Sequence, residues 1–167
     1  MSFPDKFSTK RLSLRKTTDK DSHILSRLFD DEIMSLSYLE KSDSLSKKKY
    51  FSKYLKFINE NGYSYAIFHG NVLIGEIQLI FQNGKWKIGY WISKGKRNKG
   101  YGFEALSKTI EVFFENINDY LYAGCWEINT PSKKILEKCG FNNYAISENY
   151  SEYYEKSMTS LWYEIKK

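Results

Sequence analysis

The chain is 167 residues long, the length of one ordinary domain, and its 41% hydrophobic and 17% aromatic content is ample for a core. Charged residues at 28% sit near the globular average, which excludes a disordered chain. A net charge of +6 and a pI near 9.1 point to an anionic partner, whether nucleic acid, a membrane surface or a polyanionic small molecule.

The opening Met1-Ser2-Phe3-Pro4 lacks the basic-then-apolar layout of a signal peptide, and no apolar run reaches membrane-spanning length. The expectation is one soluble, cytoplasmic domain over residues 1–167. Cys125 and Cys139 have no metal-type spacing with His23 or His69, so they read as ordinary buried thiols and no metal is expected.

Residues 11–17 alternate, Leu12 and Leu14 against Ser13 and Arg15, as a half-buried strand does. Thr18 and Asp19 are placed to cap a helix whose apolar positions are Ile24, Leu25, Leu28 and Phe29. Residues 35–46 are polar and irregular and read as a loop. A second helix is expected from Lys47, with Tyr50, Phe51, Tyr54, Leu55 and Ile58 in one stripe and its lysines as the solvated face. Strands follow at 63–68, 72–81 and 86–92, separated by Gly70-Asn71 and Asn83-Gly84, so an antiparallel meander is predicted.

Residues 93–102 are glycine-rich and basic. The next helix carries Phe103, Leu106, Ile110, Phe113 and Phe114 on one face. Residues 120–126 read as a strand. Thr130-Pro131 reads as the cap and first turn of a short helix that ends at Gly140, and two more strands complete the chain.

Strand, glycine-rich basic loop and helix start form an anion-binding arrangement, because the first helical amides lack partners and the helix dipole is positive there. Gly100 and Gly102 allow close backbone approach, and Lys96, Arg97 and Lys99 add positive charge. A nucleotide-hydrolase loop needs Gly-Lys-Ser/Thr, whereas Gly100 precedes Tyr101; the dinucleotide fingerprint needs three glycines at another spacing.

Arg97-Asn98-Lys99-Gly100-Tyr101-Gly102 resembles the pyrophosphate loop of the GNAT acyltransferases. The segment Ile88-Gly89-Tyr90-Trp91-Ile92, the helix start Gly100-Tyr101-Gly102-Phe103-Glu104-Ala105-Leu106, and Asn129-Thr130-Pro131-Ser132 with Leu136-Glu137-Lys138-Cys139-Gly140-Phe141 are similar, in order, to the RimJ/RimL group. Residues 9–15 resemble that group's opening strand. The resemblance implies an α+β fold: a twisted, mostly antiparallel sheet of six to seven strands, splayed between the fourth and fifth and flanked by about four helices. It implies transfer of an acetyl group from acetyl-CoA to a primary amine, on a protein N-terminus or a small molecule, by a monomer or homodimer.

For the donor, the resemblance implies that Trp91, Ile92 and Lys94 line the pantetheine arm. The backbone of Arg97, Asn98, Lys99, Gly100, Tyr101 and Gly102 would hold the pyrophosphate, with Asn129 hydrogen-bonding farther along. Relatives place a serine, or a tyrosine four residues later, near the leaving sulfur; here these positions are Ser132 and Leu136, so Ser132 is the candidate, with helix capping as its alternative role. Many relatives carry Glu where this chain has Lys87, which leaves Glu76 and Glu127 as candidate bases. Tyr38, Tyr144, Tyr150, Tyr153 and Tyr154 fall on the acceptor side. A non-catalytic CoA-binding module and a basic nucleic-acid-binding domain are the alternative readings.

Overall fold

Alternating side chains and two tight turns organise the middle of the chain into a meander. The computed structural model describes residues 3–38 and 44–167, and the side chains within them except 44–48 and 50. The strands β3 (Gly62–His69), β4 (Val72–Gln82) and β5 (Lys85–Ile92) pair antiparallel. At the β4–β5 turn Asn83 and Gly84 both have positive φ, 53° and 73°, the backbone that a two-residue hairpin requires.

Among the described residues eight strands form one sheet, in the order β1-β2-β3-β4-β5-β6-β8-β7. Beyond the meander these are β1 (Lys6–Ser8), β2 (Leu12–Lys16), β6 (Leu121–Trp126), β7 (Asn142–Ser151) and β8 (Lys156–Ile165). The strand not foreseen is β1, three residues too short to show a period and paired to β2 at the sheet edge. Every ladder is antiparallel except β5 with β6.

One face of the sheet carries α4 (Tyr101–Asn116) and α5 (Thr130–Lys138), whose Leu106, Ile110, Phe113 and Leu136 pack on Leu14, Ile77, Leu79 and Ile88. The other face carries α1 (Asp21–Leu28), α2 (Asp31–Leu36) and α3 (Ser44–Asn61), with Leu25, Phe29, Ile33, Phe51 and Leu55 around Ala66 and Leu73. Burial of two such faces is the main stabilising term.

Several local expectations are corrected. Thr18 and Asp19 do not cap α1 with their side chains; Asp21 accepts from the Thr18 amide at 2.7 Å and forms an ion pair with Arg15 at 2.8 Å. Ile24 is 48% exposed and so lies off the buried stripe, whose anchor is Leu25. Helix α2 occupies part of the expected loop: the Asp30 carboxylate caps it by accepting from the Ile33 amide at 2.8 Å, a cap that local composition hid. Residues 39–43 of that loop, and the Lys47, Lys48 and Tyr50 side chains, lie outside the described residues. The cap of α5 is Asn129, whose Oδ1 accepts from the Ser132 amide at 3.2 Å, and Thr130 is already helical. In β4, register passes from Ile67↔Gly75 to Phe68↔Leu73, so Ile74 is an extra residue and joins the α4 face.

Candidate active site

β5 and β6 lie side by side but pair only at Trp86↔Leu121 and Lys87↔Tyr122. Beyond these two steps the strands part, and a cavity of about 500 Å³ opens between them. Its walls include Ile88, Gly89, Tyr90, Trp91 and Ile92 from one strand and Ala123, Gly124 and Cys125 from the other. A strand leaving its ladder exposes backbone donors and acceptors that an extended ligand can take up.

At one end the cavity meets the glycine loop. A 3₁₀ turn at Lys94–Lys96 leads to Arg97, Asn98 has φ 60°, and Gly100 caps α4 with φ 78°. The first helical bond runs from the Glu104 amide to the Gly100 carbonyl at 3.0 Å. The amides of residues 98–103 thus stand ahead of the helical ladder, at the positive end of its dipole, which fits a pyrophosphate. A Cβ on Gly102 would come within 3.4 Å of Ile135 and 3.5 Å of Tyr90, so the helix start lies close against α5 and β5. Arg97, Asn98, Gly100, Tyr101 and Gly102 line the cavity, with Lys96 beside them; Lys94 and Lys99 are exposed outside its wall.

Arg97 has a second attachment that the loop motif does not disclose. Its Nε donates to the Ile92 carbonyl at 2.9 Å, Nη2 pairs with Asp30 at 2.9 Å, and Nη1 pairs with Glu32 at 2.5 Å. Two carboxylates offset its charge, and the pairing ties the loop to α2 across the cavity. Arg11 also braces the loop: it donates to the Lys99 carbonyl at 3.0 Å, pairs with Glu104 at 2.6 Å, and lies 4.7 Å over the Tyr101 ring.

On the α1–α3 face the cavity wall holds Glu76 and Gln78 of β4. Glu76 is fully buried, accepting from Ser64 Oγ at 2.6 Å and from Trp91 Nε1 at 3.0 Å. Burial pushes its carboxyl up to about 7 despite these two donors. Each oxygen accepts one bond and keeps capacity for another. Phe29 and Phe51 stand edge-on to each other at 5.1 Å, and Phe29 meets Trp91 at 5.3 Å. Glu127 follows β6, is exposed, and is not brought to the cavity. Of the five tyrosines expected on the acceptor side only Tyr38 lines the cavity; Tyr144, Tyr150 and Tyr154 are exposed. Tyr38 stacks on Trp162 with ring centroids 5.7 Å apart, and burial pushes its hydroxyl up to about 12.

On the α5 side, Asn129, Ser132 and Leu136 line the cavity. Because Asn129 supplies the cap, the Ser132 hydroxyl is not used for it; Ser132 Oγ lies 3.4 Å from the Tyr90 hydroxyl. Burial raises the pKa of Tyr90 and pushes the neighbouring Cys125 thiol up to about 11, so both remain protonated near neutrality. Tyr90 was missed in the sequence, although it sits in the Ile-Gly-Tyr segment, because its contact with Ser132 spans 42 positions.

A mostly antiparallel sheet that forks beside a glycine-rich helix start is the architecture of an N-acyltransferase. Over residues 11–142 the chain matches the Acetyltransferase (GNAT) domain family, and it belongs to that family, whose acyl donor is acetyl-CoA. It is 26% identical over 156 residues to the uncharacterized N-acetyltransferase p20 of Bacillus licheniformis, covering 86% of each chain. Its fold matches a GNAT-family acetyltransferase from Bacillus anthracis with a TM-score of 0.81 and 21% identity, over 96% of this chain and 98% of that one. Mycobacterium smegmatis RimJ, solved in complex with CoA-disulfide, superposes with a TM-score of 0.81 at 16% identity, over 93% and 81% of the two chains. Among the described residues no helix is long and apolar enough to cross a membrane.

Proposed function

We propose that this N-acetyltransferase passes an acetyl group from acetyl-CoA directly to a primary amine, on a protein N-terminus or a small molecule. The observation that carries this reading is the fork: β5 and β6 pair at two positions only, and the cavity between them ends on the glycine loop. The amides around residues 98–102 would hold the pyrophosphate, Trp91 and Ile92 would flank the pantetheine arm, and Asn129 would bond it farther along. The exposed edge of β5 would supply the amide that stabilises the developing oxyanion.

The amine attacks the thioester carbonyl, a C–N bond forms and the C–S bond breaks. Glu76 is the proposed base for the amine proton, and Ser132 the proposed proton source for the sulfur. A carboxyl near 7 is well placed to take a proton at neutral pH. An α-amine, ordinarily near 8, needs this help less than a lysine amine near 10.4.

The test is thiol release from acetyl-CoA against N-terminal peptides, lysine peptides, polyamines, aminosugars and aminoglycosides. Amine-dependent release, rising with pH through about 7, supports the reading. Tight acetyl-CoA binding without release on any amine would instead support a non-catalytic CoA-binding module.

A further inference from the structure

The two polar residues of β4 in the cavity wall face opposite extremes of side-chain size. Glu76 stands across from Trp91, and Gln78 stands across from Gly89. Trp91 holds Glu76 through its ring nitrogen and helps to enclose it. Gly89 does the reverse. A Cβ there would come within 2.8 Å of Gln78 Nε2 and 3.3 Å of its Cδ, so the Gln78 amide occupies the space a side chain would take. The Tyr54 hydroxyl, projecting from α3, donates to Gln78 Oε1 and fixes which way the amide faces. Gln78, Gly89 and Tyr54 all line the cavity, and Gly89 lies beyond the last β5–β6 pair.

We propose that Gln78, held by Tyr54 over Gly89, orients the acceptor amine for attack; this rests on the acyltransferase reading above. An attacking amine must turn its lone pair to the carbonyl carbon and direct an N–H elsewhere. Gln78 Oε1 accepts one bond from Tyr54 and has a second lone pair for that N–H. The amide is neutral, so it fixes direction without favouring the unreactive ammonium, as an ionised carboxylate at the same place would. Glu76, two residues along the same face, is then free for the proton. Gly89 is required here because any side chain would displace the amide from the stretch of β5 where the strands have parted.

Three substitutions test this with the most active amine found for the wild type: Gln78→Leu, Tyr54→Phe and Gly89→Ala. Each is expected to lower kcat/KM for the amine about tenfold, the scale of one hydrogen bond. In Gln78→Leu and Tyr54→Phe, acetyl-CoA affinity by calorimetry and the slow amine-independent hydrolysis of acetyl-CoA should stay within about twofold of wild type. Tyr54→Phe deletes a single oxygen and keeps the test alive should Gln78→Leu fail to fold. Unchanged amine kcat/KM in Gln78→Leu or Tyr54→Phe overturns the inference, as does an equal loss of acetyl-CoA affinity. Wild-type protein that binds acetyl-CoA but releases no more thiol with any amine than without one overturns the acyltransferase reading, and this inference with it.

Discussion

The two ends of the cavity are made of different materials. The proposed donor end is built mainly from one continuous stretch, β5 through α4, with α5 beside it, and its chemistry is mostly backbone: unpaired strand edge, left-handed residues and helix-start amides. The proposed acceptor end is assembled from α1, α2, α3 and β4, and its chemistry is side-chain: Glu76, Gln78, Tyr54 and a cluster of aromatic rings. Backbone chemistry tolerates replacement of most side chains and suits a donor that every family member shares. Side-chain chemistry changes with single substitutions and suits an acceptor that differs from one member to the next. Arg97 is the exception, because it sits in the donor loop and bonds two acids on the acceptor side.

The largest expected effect is at the acceptor end. Glu76→Gln should lower kcat by about 10²–10⁴ while leaving acetyl-CoA affinity within twofold, measured by steady-state thiol release and calorimetry. The same change should alter stability with a definite sign. The folded-state pKa, near 7, lies above that of an unfolded carboxylate, so the folded protein binds the extra proton. Stability from this group is present below the ordinary carboxylate range and is lost as pH rises through about 7, by up to about 3 kcal/mol. Denaturant melts of Glu76→Gln should lack this decline. A variant with full kcat would remove Glu76 as the base and leave its burial without a catalytic purpose.

At the donor end a backbone change should act where a side-chain change does not. Gly100→Ala forces a side chain into φ 78°, at a cost of about 1–2 kcal/mol. It should raise the KM for acetyl-CoA about tenfold as the loop shifts. Gly70→Ala is the control, since its φ is 59° and it turns β3 into β4 outside the cavity wall. Comparable losses of stability with a KM effect only for Gly100 would separate cradle from strain. Equal KM values would mean that the loop amides do not hold the donor.

The contrast also explains what the sequence disclosed. The meander, its turns, the glycine loop and the helix after it were legible because their signals are local: alternation, Asn83-Gly84, and Gly100 and Gly102 ahead of an apolar stripe. The fork between β5 and β6 was supplied by family resemblance, since no local pattern encodes where a parallel pair stops. Helix α2 was hidden because its six residues are too few for a period and its cap, Asp30, also serves Arg97. Glu76 stood out as an acid in an apolar strand, but the roles of Gln78 and Tyr54 depend on a contact 24 positions apart and on a missing side chain across the sheet. Strict alternation along β4 would put Ile74 on the Glu76 face, but the bulge breaks the period of two and turns it to the α4 face.

The bridge between the two ends should give a middle-sized effect. In a double-mutant cycle of Arg97→Ala and Asp30→Asn, the pair should couple by about 1 kcal/mol in stability, both side chains being mostly covered. Acetyl-CoA KM and amine KM should both rise in Arg97→Ala, whereas an arginine serving only the donor phosphates would raise the first alone.

The smallest effect expected is at Ser132, and it separates a chemical role from a structural one at the same helix start. Asn129 supplies the cap, so Asn129→Ala should cost about 1 kcal/mol of stability. Ser132→Ala removes a hydroxyl that caps nothing and should leave the melting curve almost unchanged. If that hydroxyl protonates the departing sulfur, thiol release should nevertheless slow several-fold, and Tyr90→Phe should slow it by a similar or smaller factor because its hydroxyl lies 3.4 Å away. Nonadditive losses in the double variant would place the two hydroxyls in one relay. Unchanged rates in both would assign thiolate protonation to solvent at the mouth of the fork, leaving α5 to position the donor through Asn129 alone.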